Sequence, residues 1–120
     1  MRPMLPALLA LLAAPALAQA VTPLVEVEDE SMMVDVFGVD VDTLEDTDIV
    51  DASGETIGEV DEVLMDDEGL IVAVSAEVGG FLGLGDKEVV IDLGMLTQSG
   101  DKLAVDMTEE QVESLPAWDD

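Results

Sequence analysis

Thr56-Ile57-Gly58-Glu59-Val60-Asp61-Glu62-Val63-Leu64-Met65, then Asp66-Asp67-Glu68-Gly69, then Leu70 through Val78, is the stretch on which the fold turns. In its first part Ile57, Val60, Val63 and Leu64 fall at mixed spacings that fit neither a clean helix nor a clean strand. Gly58 inside the run and a tight turn at each end favour a bent strand. A β-bulge accounts for the mixed period, because one extra residue moves the inward face by one position. The second part is almost wholly apolar and partly β-branched. As a strand it turns Leu70, Val72, Val74, Ala76 and Val78 one way, and Ile71, Ala73, Ser75 and Glu77 the other. Asp66 to Gly69 joins the two as a hairpin.

Outward from this hairpin the pattern stays β. Asp48-Ile49-Val50-Asp51 reads as a short strand, ended by the turn Ala52-Ser53-Gly54-Glu55. Glu88 to Asp92 is another strand, Leu93 to Leu96 a turn or a single helical turn, and Gln98 to Asp101 turns the chain into Lys102 to Asp106. The end is helical. Thr108 with Gln111 three residues on forms a capping box, Glu109 and Glu110 suit the positive helix start, and Pro116 stops it. Trp118 is expected to pack back on the domain. Short strands, close turns and one short C-terminal helix predict a mainly all-β fold, a small antiparallel barrel.

The two flanks differ in character. Residues 1–20 read as a signal peptide, with Arg2 ahead of a Leu/Ala run and small residues at Ala18 and Ala20. Cleavage is expected after Ala20, or after Ala18. The run is shorter than the roughly 20 apolar residues that span a bilayer, and Pro6 and Pro15 interrupt it. Residues 21–43 form an acidic N-terminal segment, read as an extended linker or as a strand on the domain edge. Met32, Met33 and Phe37 mark the part of it that could dock.

Charge narrows the partners. The formal net charge is −26, and the only basic residues are Arg2, Lys87 and Lys102. Loss of Arg2 with the leader makes the remaining domain one unit more negative. Such a chain repels nucleic acid, whose binding rests on Lys and Arg at phosphates, and it avoids anionic lipid. High charge also keeps a protein dispersed, at the cost of self-repulsion that salt relieves. With no Cys there are neither disulfides nor a lipid anchor through Cys, so no membrane anchor is expected after cleavage.

The residues Gly54 to Asp66, the strand Leu70 to Val78 with Gly79-Gly80-Phe81-Leu82-Gly83-Leu84-Gly85-Asp86-Lys87-Glu88-Val89 after it, and the tail Met107 to Ala117 together resemble the PRC-barrel domain of exported bacterial proteins. The resemblance covers residues 44–118. It implies a small β-barrel that serves as a protein-interaction or assembly module, and it brings no catalytic residues; the expected signal peptide places the domain in the periplasm or outside the cell.

The chemistry left to weigh is thin. There is no His, Cys or Tyr, and a serine nucleophile would have only Lys87 or Lys102 as its base. Carboxylate pairs suited to glycoside hydrolysis are too abundant to single out, and a small filled barrel offers no cleft. In the glycine-rich loop Asp86 precedes Lys87 and a strand follows, which is not a phosphate-binding loop. No enzyme activity, cofactor or specific metal site is expected. Phe81, Leu82 and Leu84 are the candidate contact surface for a protein partner. The acidic runs Asp40, Asp42, Glu45, Asp46, Asp48 and Asp66, Asp67, Glu68 lack EF-hand spacing and predict weak divalent-cation association. The second reading is therefore an acidic cation-binding or salt-tolerance protein.

Overall fold

The computed structural model describes residues 23–79 and 86–119. The stretch expected to be a leader, with both expected cleavage positions, and the loop residues Phe81, Leu82 and Leu84 lie outside the described residues. Among the described residues nine strands form: β1 Val25–Glu26, β2 Met33–Val34, β3 Val39–Asp40, β4 Asp48–Val50, β5 Thr56–Met65, β6 Ile71–Gly79, β7 Asp86–Asp92, β8 Leu96–Ser99 and β9 Lys102–Val105. The main sheet runs β7-β6-β5-β4-β9-β8, and β2 and β3 make a separate two-stranded pair. On one edge of β5, β4 meets Thr56 to Glu59 and β1 meets Leu64 and Met65.

The bulge expected from the spacing is present. Pairing of β5 with β6 shifts between Val60 and Glu62, and again between Leu64 and Met65. On either side of the first shift the inward rows are Val60–Ala76–Val89 and Val63–Val74–Ile91, all at most 1% exposed. Without the extra residue at Asp61, Val63 would face outward. Gly58 lies opposite Val78. A Cβ there would overlap the Glu77 carbonyl oxygen and sit 2.9 Å from Val78 Cγ1, so the bend needs glycine.

Strands from both ends of the sheet path, β7 with Ile91 and β8 with Leu96, feed one core that also holds Ile49, Leu103 and Val105. The sheet therefore wraps around a single interior, mostly Val, Ile and Leu. The segment before β4 contributes as well: Val27, Val34, Phe37, Val41 and Leu44 belong to this core.

Three details depart from the sequence reading. A second short helix, α1 (Val41–Leu44), replaces the extended alternation around Val39 to Asp42, because the Asp40 carboxylate accepts from Thr43 N at 2.8 Å and caps it. One strand pair is parallel: β4 and β9 run side by side, with everything from β5 to β8 as the crossover between them. Leu70 drops out of the strand and is 59% exposed. There the Asp66 carboxylate takes the amides of Glu68 and Leu70 at 2.9 and 3.0 Å, while Asp66 N donates to Leu70 O at 2.9 Å and closes the hairpin.

The C-terminal expectations hold. A helix, α2 (Glu109–Glu113), starts in a capping box: Thr108 Oγ1 accepts from Gln111 N at 3.2 Å, and Gln111 Oε1 accepts from Thr108 N at 2.9 Å. Leu93–Met95 is a 3-10 turn. Beyond α2 the chain lies along β7, with Val90 N donating to Pro116 O and Trp118 N to Glu88 O, each at 2.8 Å.

Candidate functional site

Two surface features stand out. The first lies on the outer face of β5, β6 and β7. Residues opposite one another on adjacent strands share a face, and Glu59, Glu77 and Glu88 form one such outward row. The β5 bulge turns Asp61 toward the same place. Asp61, Glu77 and Glu88 each offer a carboxylate oxygen within 4.8 Å of the others. Like charges opposed across strands repel, which favours a proton on one of them.

Burial decides which group keeps the proton. The Trp118 indole Nε1 donates to Glu62 Oε1 at 2.9 Å. Since the Trp118 backbone sits on β7 and Glu62 on β5, the indole reaches across β6. Ser75, on β6 between them, is fully buried, and its Oγ accepts from Glu62 N at 3.1 Å. Glu88 lies beside this cover. Its Oε2 is buried with no hydrogen-bond partner among the described residues. Burial pushes the Glu88 carboxyl up to about 7, a hydrogen bond with Asp61 adds to the rise, and a hydrogen bond with Ser75 opposes it. At neutral pH Glu88 therefore carries its proton for about half of the time.

A similar trio, Glu30, Asp42 and Glu45, gathers beside α1. There burial and the Glu30 charge raise the Glu45 carboxyl. Of the acidic runs noted in the sequence, this trio uses Asp42 and Glu45 alone. Asp40 is committed to capping α1 and Asp66 to its turn. The trio on the sheet was missed from the sequence. Its one visible sign was Glu77 near the end of an apolar strand, and the bulge with the pairing register was needed to bring it to Asp61 and Glu88. Both trios could hold a hard cation by oxygen atoms, although calcium takes 6–8 of them.

The second feature is apolar. Met33, Val36 and Leu70 are 52%, 65% and 59% exposed. They line a groove of about 410 Å³ between the β2–β3 turn and the β5–β6 hairpin, floored by Ile71, Val72 and Leu93. Asp35 stands among them. A second hollow, of about 440 Å³, is polar and runs along Glu45 to Asp48 and Gly100 to Lys102, where Lys102 Nζ lies 3.5 Å from Asp48 Oδ2. Among the described residues no helix is long and apolar enough to cross a membrane.

The family model of the PRC-barrel domain matches residues 38–112, more than half of the chain. No curated protein matches.

Proposed function

The chain belongs to the PRC-barrel domain family, and from that premise we propose that it is a non-enzymatic interaction and assembly module, working in the periplasm or outside the cell. The observation that carries this reading is the exposed trio Met33, Val36 and Leu70 grouped in one groove of a strongly acidic domain. Large apolar side chains that remain grouped in water mark a surface for a partner. Support for the compartment comes from the leader pattern of residues 1–20. Phe81, Leu82 and Leu84 stay part of the proposal as a second contact. Transfer from fold to role is analogy, so the test is direct. Affinity capture from an envelope extract of the source cells should recover one protein reproducibly and in proportion to the bait. Failure to recover any reproducible protein refutes the module reading.

A second reading, cation binding, is favoured by one observation: the three carboxylates of Asp61, Glu77 and Glu88 converge beside the unpartnered Glu88 oxygen. Calorimetry with calcium in physiological salt distinguishes it from general screening. Saturable heat, reduced in Glu88→Gln, supports a site. Heat that vanishes on adding salt reduces the effect to the net charge.

A further inference from the structure

We infer that the groove between the β2–β3 turn and the β5–β6 hairpin takes a segment of a partner protein that carries apolar side chains flanked by Lys or Arg. This rests on the interaction-module reading and gives its partner a chemistry. Leu70 is available because the turn held by Asp66 leaves it outside while its neighbour Ile71 packs against the core. Val36 is available because Phe37 N and Gly38 N both bond Val34 O, closing a turn that buries Phe37 and leaves Val36 outside. Both apolar side chains are thus displayed by turns with their own hydrogen bonds, and covering them costs no backbone pairing.

Charge selects the occupant. Asp35 lies in the groove wall, Asp67 and Glu68 sit at the exposed hairpin tip beside Gly69 and Leu70, and no Lys or Arg lines the groove among the described residues. Lys102, the cation seen in an ion pair, is committed to Asp48 at the other hollow. An acid-rimmed apolar groove draws in a basic segment and repels an acidic one. A second copy of this chain would bring its own −26 to the contact. An anionic membrane would be repelled as well.

The experiment uses the purified chain and three labelled synthetic peptides, read by fluorescence anisotropy at about 0.15 M salt. One is amphipathic in Leu and Lys. The second keeps Leu and replaces Lys by Glu. The third keeps Lys and replaces Leu by Ser. The Leu/Lys peptide should bind saturably and the other two at least roughly ten-fold more weakly. The decisive variant is Val36→Asp with Leu70→Asp. Both sites are exposed, so the fold persists, as circular dichroism checks. The variant adds two negative charges. If attraction were only electrostatic, affinity for the Leu/Lys peptide would rise. Docking in the groove predicts a fall of about ten-fold or more. Unchanged or tighter binding, or equal binding of the Ser/Lys peptide, overturns the inference. So does a dimer in sedimentation that the double variant abolishes, which would give the groove to a second copy. Envelope capture separates the two claims: a partner retained by the double variant sinks the groove and leaves the module reading standing.

Discussion

Two rows of residues, one position apart on the same three strands, have opposite characters. Val60, Ala76 and Val89 point inward and are at most 1% exposed. Glu59, Glu77 and Glu88 point outward and set three carboxylates side by side. The inner row stabilises the fold by removing apolar area from water, at about 25 cal/mol per Å². The outer row opposes it by repulsion. A proton on Glu88 softens that repulsion.

The contrast can be broken from the inner side first. Val60→Asp places an unpaired carboxylate in the core and should cost about 3 kcal/mol or more, read as a collapse of the denaturant midpoint at neutral pH. A midpoint close to that of the parent chain would mean the inner row is not the core. Gly58→Ala attacks the bend that keeps the rows apart. The added Cβ meets the Glu77 carbonyl, and a loss of about 1–3 kcal/mol is expected by thermal unfolding.

The outer row is probed through its proton. The Glu88 carboxyl is raised from its ordinary 4.5 to about 7, so the folded chain binds a proton that the unfolded chain has released across that window. The stabilisation is fully present below about 4.5 and is lost as pH rises toward 7, with a slope of at most about 1.4 kcal/mol per pH unit. Glu88→Gln should flatten that fall relative to the parent chain between about pH 5 and pH 8. An unaltered difference between the two midpoints would show that Glu88 does not hold the proton. The smallest effect belongs to the exposed end of the row. Glu59→Lys sets a cation opposite Glu77 and should add about 0.5 kcal/mol at low salt, vanishing in high salt. A gain that persists in high salt would point to packing instead of charge.

The bent strand β5, its bulge, the hairpin to β6 and the capped terminal helix were legible because each depends on near neighbours: a mixed hydrophobic period, turn residues, a Thr and a Gln three apart. The helix Val41–Leu44 was hidden because Val-Asp-Val-Asp alternates like a strand, and only the Asp40 cap tips it. The parallel pairing of β4 with β9 was hidden because nothing local links residues so far apart in the chain. The groove was half visible. Met33 was noted as able to dock, whereas Val36 and Leu70 emerged once turns pushed them outward.

The sequence by itself determined the β character, the acidic surface, the bulge and the family resemblance, since periodicity and composition are properties of the chain read in order. Only the tertiary structure decided which carboxylates meet and which apolar side chains stay in water. Asp61, Glu77 and Glu88 come from three strands, and a shift of one residue in register would send each to the opposite face. Near the hairpin the second register shift brings Ile71, instead of Leu70 and Val72, against the core, and Leu70 is left in water. Contacts of that kind depend on pairing across the sheet and on where its register shifts, and neither is written in any local pattern.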